Sequence, residues 1–171
     1  MKKAVVTLVI IFVCLQHRSF CQDTINWRPG YTLTWNDFKA APIASSQHWA
    51  LTHSVISYTY TYSGAILHAQ VSCYFDKNLS WKKPQADDAL MAHERGHFDI
   101  AEIFAKKLQQ AFDAYKITNF NTIDKDLKNI FDTIMRQVDA MQQQYDQETQ
   151  HSINKPQQQA WLDKIKGELS K

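Results

Sequence analysis

The stretch Ala92-His93-Glu94-Arg95-Gly96-His97-Phe98-Asp99-Ile100-Ala101-Glu102 decides the fold prediction for this chain. If it is helical, each residue turns the chain by about 100°, so His93 and His97 lie about 40° apart on one face. Two imidazoles in this arrangement can direct their nitrogens at one ion at about 2.0–2.1 Å. Glu94 lies about 100° from His93, where its carboxylate reaches a metal-bound water more easily than the metal. The stretch therefore predicts a helix that carries two metal ligands and one general base.

The same stretch begins an apolar stripe, which supports a competing interpretation. Apolar side chains follow the histidines at steps of three or four residues: Ala101, Phe104, Leu108, Phe112 and Tyr115. A lone histidine at the start of such a stripe is more often a core residue than a ligand. Two histidines at ligand spacing, with a glutamate directly after the first, favour the metal interpretation. Gly96, which costs a helix about 1 kcal/mol relative to alanine, indicates a close neighbour above it.

Helices and one hairpin are predicted around this stretch. The first helix runs over residues 85–115 and the second over residues 123–148, and the short break between them makes the two helices antiparallel neighbours. Residues 48–62 and 66–75 are rich in strand-forming residues and flank a turn at Ser63-Gly64, which predicts a β-hairpin. Residues 31–35 are predicted as a further short strand.

The predicted fold class is α+β. An N-terminal antiparallel β-hairpin or sheet packs on two long antiparallel helices and a short C-terminal helix, which Asn154 and Pro156 open. The first long helix is expected to be a zincin-like active-site helix. His53 and His68 fall within the hairpin and are predicted to be surface or cross-strand residues rather than ligands.

Residues 1–21 differ from the rest of the chain. Lys2 and Lys3 precede an apolar run of about a dozen residues, which reads as a secretory signal peptide and is too short for a comfortable transmembrane span. Cleavage near Cys21–Gln22 would leave residues 22–171 as a single domain. We therefore expect a secreted or periplasmic protein with no membrane association after cleavage.

The charge and cysteine content exclude other classes of protein. Three of the 19 basic residues lie within residues 1–21, so the mature chain has 16 basic and 17 acidic residues and a net charge of about −1. There is no electrostatic case for nucleic-acid binding. Cys73 is the one cysteine left after cleavage, so neither an intramolecular disulfide nor a cysteine-based zinc site is expected, and its apolar surroundings predict burial.

The third metal ligand must come from elsewhere in the chain, because a catalytic zinc usually has three protein ligands and an open position for water. The antiparallel second helix returns its end to the two histidines. His151 is the first choice at that end because imidazole suits zinc, and Glu148 and Asp146 are the alternatives. Glu102 is a poorer choice because it lies about 140° around the helix from His97.

These residues predict a zinc hydrolase with one Zn²⁺ per chain. Glu94 would accept the proton of the metal-activated water as the water attacks a carbonyl. Tyr145 is predicted to donate a hydrogen bond to the developing oxyanion, although it also fits the apolar stripe of the second helix.

A family resemblance rests on the same residues. His93-Glu94-Arg95-Gly96-His97-Phe98-Asp99-Ile100-Ala101-Glu102, followed by Tyr145-Asp146, Thr149 and His151, resembles the secreted bacterial proteins grouped as domain of unknown function 922 (DUF922). Those proteins are described as predicted zinc-dependent proteases. Leu33-Thr34-Trp35-Asn36-Asp37-Phe38 also resembles the opening segment of that family.

The resemblance covers nearly all of the chain after residue 21. It implies a secreted bacterial protein in which residues 22–171 form a metallopeptidase-like domain that acts on a peptide or protein substrate. By position it implies these site residues: His93, Glu94, His97 and His151. Ser152 departs from the family pattern, in which a glycine is expected after that histidine.

Two other functions compete with peptide-bond hydrolysis. The first is a non-catalytic, metal-containing binding module of the cell envelope, for which Gln142–Gln144 and Gln157–Gln159 would suit a partner surface. The second is hydrolysis of a non-peptide amide in cell-wall material. Glu94 distinguishes hydrolases from the binding module, because a binding module has no need of a carboxylate beside a metal-bound water.

Overall fold

The computed structural model describes residues 23–171 of the chain, so the predicted signal peptide lies outside the described residues. The strands in this part are β1 (Thr24–Asn26), β2 (Ala50–Leu51), β3 (Ser54–Ser63), β4 (Ile66–Asp76) and β5 (Trp81–Lys82). The α-helices are α1 (Asp88–Ala114), α2 (Ile123–Thr149) and α3 (Lys155–Leu169). The predicted α+β class, with two long helices and a short C-terminal helix, is confirmed.

β3 and β4 form the predicted hairpin. Its register runs from Ser54 opposite Phe75 to Ser63 opposite Ile66. Gly64 turns the chain with a φ of +57°, a left-handed conformation that glycine adopts at little cost. β1 pairs with the other edge of β4, so the sheet is antiparallel in the order β1-β4-β3, and β2 pairs with β5 in a separate ladder. Within the described residues, β3 is therefore an edge strand.

α1 begins at Asp88 because the preceding residue caps it. The side chain of Asp87 accepts a hydrogen bond from the backbone N–H of Leu90 at 2.8 Å. The predicted start at residue 85 was three residues early, since the backbone N–H of Ala86 still closes a turn onto the carbonyl of Lys83. The buried apolar residues of α1 are Leu90, Phe98, Ile100, Ala101, Ile103, Phe104, Ala105, Leu108 and Phe112.

α2 packs against α1 and returns its C-terminal end to the histidines of α1, as predicted. The ring of Tyr145 near the end of α2 stacks on the ring of His93, with centroids 4.5 Å apart. α2 ends where Gln150 adopts a left-handed backbone with a φ of +49°. The antiparallel arrangement therefore brings residues about 50 positions apart in sequence to one end of the helix pair.

The predicted strand over residues 31–35 is wrong. Trp35–Asp37 is a turn of 3₁₀-helix, because a carboxylate oxygen of Asp37 accepts a hydrogen bond from the backbone N–H of Thr34 at 2.9 Å. Leu33 in this segment is nevertheless a core residue, with 2% of its surface exposed. The first strand is instead Thr24–Asn26.

The hydrophobic core lies between the sheet and the helices. It includes Phe75 of β4, Phe98 of α1 and Leu127 of α2. Cys73 is buried as predicted, and its burial raises the pKa of the thiol. Among residues 23–171, none of the helices combines the length and the apolar character needed to cross a membrane.

Candidate metal centre

His93 and His97 lie one turn apart on α1, as the sequence predicts. Their Nε2 atoms are 3.1 Å apart, and the two rings are nearly perpendicular, with an interplanar angle of 87°. His93 is buried, with 1% of its surface exposed, whereas His97 is partly accessible. Both imidazoles therefore direct the same ring atom at one point.

Asp146 of α2 completes a group of three potential ligands. Its Oδ1 atom lies 3.0 Å from Nε2 of His93 and 2.9 Å from Nε2 of His97. Among the described residues, these three side chains are the group whose ligand atoms all lie within 4.8 Å of one another. A tetrahedral zinc with bonds of about 2.0–2.1 Å separates its ligands by about 3.3 Å, so the spacing fits this metal with a small outward movement.

Gln142 fixes the tautomer of His97. The amide nitrogen of Gln142 donates to the backbone carbonyl of His97 at 2.9 Å, and a carbonyl oxygen can only accept. The amide oxygen of Gln142 must then face Nδ1 of His97, with which it is hydrogen-bonded. Nδ1 therefore carries the proton, and a neutral His97 presents the lone pair of Nε2 to the site.

Gln158 of α3 fixes the tautomer of His93 through a longer chain of hydrogen bonds. The hydroxyl of Tyr145 donates to the backbone carbonyl of His93 at 3.2 Å, so its oxygen accepts from the amide nitrogen of Gln158 at 2.6 Å. This leaves the amide oxygen of Gln158 to accept from Nδ1 of His93 at 3.0 Å. Neutral His93 thus also presents the lone pair of Nε2.

Three acceptor atoms consequently converge on one point. Two imidazole lone pairs and a carboxylate repel one another unless a cation lies among them. In the protein without a metal, a proton can be the cation. Burial would lower the pKa of His97, but the hydrogen bond of the protonated imidazole to Asp146 and the negative charges of Asp146 and Glu94 raise it. Burial would raise the pKa of Asp146, but hydrogen bonds from protonated His93 and His97 hold the pKa well below its usual value. The donor set is suited to a divalent metal ion.

Glu94 lies beside this group with an unsatisfied carboxylate oxygen. Only 4% of the residue is exposed, and its buried Oε2 atom has no hydrogen-bond partner within the described part of the chain. A buried carboxylate oxygen without a partner is costly, so the site is incomplete without a group that donates to it. Glu94 borders the same cavity as the three ligands, and its role as a general base stays a prediction.

Tyr145 and Gly96 form a tightly packed wall. A Cβ atom at Gly96 would lie 2.7 Å from Cζ of Tyr145, so the glycine leaves the space that the phenol ring occupies. Tyr145 is fully buried, and this burial raises the pKa of its hydroxyl. Because the proton of that hydroxyl is donated to the carbonyl of His93, Tyr145 positions His93, and the predicted hydrogen bond to an oxyanion gains no support from this arrangement.

His151 lies at the rim of the site. Its Nδ1 atom is 3.3 Å from Oδ1 of Asp146, but 49% of its side chain is exposed, and it is not in the compact group of three ligands. Its ring meets that of His48 edge-on, with centroids 4.7 Å apart. His151 and Ser152 have φ angles of +51° and +75°, so Ser152 adopts the left-handed backbone for which the family resemblance leads us to expect glycine. The assignment of His151 as a ligand stays a prediction.

The remaining candidate ligands point elsewhere. Glu148 is exposed and accepts a hydrogen bond from the indole of Trp161 of α3 at 2.7 Å. Glu102 is close enough to Cys73 to raise the pKa of that thiol, and partial burial, modified by Lys106 and Asp99, raises the pKa of Glu102 itself to about 7. The structure thus selects Asp146 among the three acidic alternatives.

The site opens into a cavity of about 810 Å³. Its polar lining includes His93, Glu94, His97, Asp146 and His151. Its apolar lining includes Trp49, Leu51, Ile56, Leu90, Val138 and Ile153. This volume falls within the range of about 300–1,000 Å³ that is usual for ligand sites.

Three residues support the histidines in a way that the sequence did not predict: Gln142, Thr149 and Gln158. Gln142 and Gln158 fall in glutamine-rich runs that resemble solvated surface, yet Gln158 is only 6% exposed. Thr149 is fully buried, with its hydroxyl 3.4 Å from Nδ1 of His93. Helical spacing was the available signal. Gln142 and Thr149 lie three or four residues from buried Val138 and Tyr145 on α2, and Gln158 lies three residues before buried Trp161 on α3.

Fold and site together define an α+β protein with a His-Glu-x-x-His helix and a candidate metal centre of two histidines and one aspartate. The chain belongs to the family described as "Bacterial protein of unknown function (DUF922)", whose profile matches residues 35–152. No curated protein and no solved structure gives a significant match. The matched segment contains His93, His97 and Asp146 but ends before Gln158.

Replacing Gln158 tests whether its hydrogen bond to His93 contributes to zinc affinity. We expect Gln158→Leu to lower zinc affinity about 10–100-fold, because Nδ1 of His93 loses the acceptor that fixes its tautomer. The matched control is Gln159→Leu, since Gln159 is exposed and its side chain donates to Asp163 on the same helix rather than to either histidine. Competition titration against a chelator gives both affinities. A folded Gln158→Leu protein with the affinity of the parent would show that the tautomer is fixed in another way.

Proposed function

We propose that this protein is a secreted zinc-dependent hydrolase of peptide bonds. The single observation that carries the proposal is the position of Glu94, which borders the same cavity as the three converging ligand atoms and has a buried carboxylate oxygen without a hydrogen-bond partner in residues 23–171. A site that only held a metal for structural reasons would gain nothing from this carboxylate and would bear the cost of burying it.

The proposed roles follow from the contacts. His93, His97 and Asp146 would hold one zinc ion, which supplies a water of lowered pKa and polarises a carbonyl when bound. Glu94 accepts the proton of the attacking water and can return it to the leaving amine. Gln142 and Gln158 hold the imidazoles in the tautomer that binds metal.

The Glu94 oxygen that has no hydrogen-bond partner among residues 23–171 also favours a hydrolase over a metal-containing binding module, which needs no base. A peptide or protein substrate agrees with the size and apolar lining of the cavity. The predicted signal peptide supports a location outside the cytoplasm, in the periplasm or the medium, and this location is part of the proposal.

Hydrolysis of an unstructured protein tests the proposed function. We expect the purified protein with one equivalent of zinc to cleave reduced, unfolded casein, with products separated by mass spectrometry. A chelator should abolish the cleavage and added zinc should restore it. Zinc binding without cleavage of any unfolded protein substrate would contradict the proposal.

A further inference from the structure

One edge of the segment 50–56 is unpaired along the wall of the cavity. The backbone carbonyl of Trp49 accepts from the N–H of Lys83 at 2.6 Å, and that of His53 accepts from the N–H of Asp76 at 2.9 Å. Both residues therefore bond inward, towards β5 and β4. Alternate residues of an extended chain direct their backbone N–H and C=O groups to opposite edges. Ala50, Thr52 and Ser54 therefore direct theirs outward, away from β5 and β4.

The outward edge faces the cavity. The cavity is bordered by residues 47–54 and Ile56 on one side and by Met135, Val138 and Gln142 of α2 on the other, whereas no residue of β4 or β5 borders it. Within residues 23–171, no strand pairs with this edge. The unpaired backbone groups thus run along the cavity that contains Glu94 and the candidate metal ligands.

Two further observations indicate an absent ligand on this wall. The hydroxyl oxygen of Ser54 is buried and has no hydrogen-bond partner within the described part of the chain. In the lining of the cavity, Trp49, Leu51 and Ile153 expose 55%, 37% and 75% of their surface, although all three are large apolar residues. Exposed apolar groups beside unsatisfied polar groups are typical of a binding site.

We propose that the cavity binds an extended, predominantly apolar polypeptide segment that pairs as an added strand with the outward edge of Ala50, Thr52 and Ser54. Backbone hydrogen bonds to the edge give affinity, and contacts with Trp49, Leu51 and Ile153 select apolar side chains. This inference rests on the proposed function, because such a segment crosses the candidate metal centre with its peptide bonds beside Glu94.

N-methylated peptides test the pairing without altering the fold. The probe is a capped nine-residue peptide of alternating Leu and Thr. Its binding to the zinc-loaded Glu94→Gln protein, in which we expect cleavage to be slower by a factor of about 10²–10⁴, is measured by calorimetry. Two derivatives carry N-methyl groups on the odd or on the even amides. We expect one derivative to bind about tenfold or more weakly and the other to bind nearly as well as the parent peptide, because only one set of amides faces the edge.

Protein variants test the apolar contacts. Trp49→Ala should weaken binding about tenfold, whereas Phe120→Ala, which removes an equally exposed aromatic residue far from the cavity, should not. A peptide with Gln in place of every Leu should bind at least tenfold more weakly than the probe.

The inference is overturned if both methylated peptides bind like the probe, if both lose affinity equally, or if the Gln peptide binds as well as the Leu peptide. Casein hydrolysis by the unmutated protein is measured separately. Edge-specific binding without hydrolysis would refute the proposed function alone, and hydrolysis without edge-specific binding would refute this inference alone.

Discussion

Replacing Asp146 by alanine is expected to lower zinc affinity about a hundredfold, whereas replacing His151 should lower it less than tenfold. Structural zinc sites bind with about 10–16 kcal/mol, so each of four ligands contributes about 3 kcal/mol. Oδ1 of Asp146 lies within 3.0 Å of both imidazole nitrogens, whereas His151 is half exposed at the rim. His93→Ala and His97→Ala should lose zinc as severely as Asp146→Ala.

The matched control for this series is Asp139→Ala. Asp139 lies on α2, borders the same cavity and carries the same charge, but it belongs to no group of ligands in the described part of the chain. Competition titration of all variants, with circular dichroism to confirm folding, separates loss of a ligand from loss of charge. If His151→Ala reduced the affinity as much as Asp146→Ala, His151 would be a ligand, as the sequence predicts.

Glu94→Gln is expected to keep the bound zinc and to lose hydrolysis by a factor of about 10²–10⁴, the usual contribution of a general base. Glutamine preserves the shape of the side chain but cannot accept the proton of the attacking water. Zinc content by elemental analysis and casein cleavage rates provide the two measurements.

Glu102→Gln is the control for the Glu94 variant. It makes the same chemical change two turns further along α1, on a residue that is partly buried near Cys73 and does not border the cavity. We expect its zinc content and cleavage rate to match those of the parent. Equal cleavage by Glu94→Gln and the parent would reject the general base, and loss of zinc from Glu94→Gln would make Glu94 a ligand.

The parts of the structure that the sequence predicts correctly rest on regular periodicity. A spacing of four residues places His93 and His97 on the same face of any α-helix. The short segment between α1 and α2 makes the two helices antiparallel, so the C-terminal end of α2 lies beside the histidines. The hairpin follows in the same way from strand-forming residues around Ser63-Gly64. Residues 31–35 were misjudged because the local hydrogen bond from Thr34 to Asp37 outweighs strand propensity.

The choice between Asp146 and His151 depends on tertiary structure. Imidazole suits zinc better than carboxylate in general, which favoured His151. However, α2 stays helical through Thr149, so Asp146 remains on the face of the helix that is turned towards α1. Three consecutive residues with a left-handed backbone, Gln150 to Ser152, follow the helix and place His151 at the rim of the site. The contribution of Gln158 is equally non-local, because it depends on how α3 folds back onto Tyr145.

The most direct test of the metal centre is anomalous diffraction at the zinc edge from crystals of the zinc-loaded protein. We predict one zinc peak per chain, bonded to Nε2 of His93, Nε2 of His97 and a carboxylate oxygen of Asp146, with a water between the metal and Glu94. Absence of zinc from this position, or a zinc ion bound through Nδ1 of either histidine, would contradict the account.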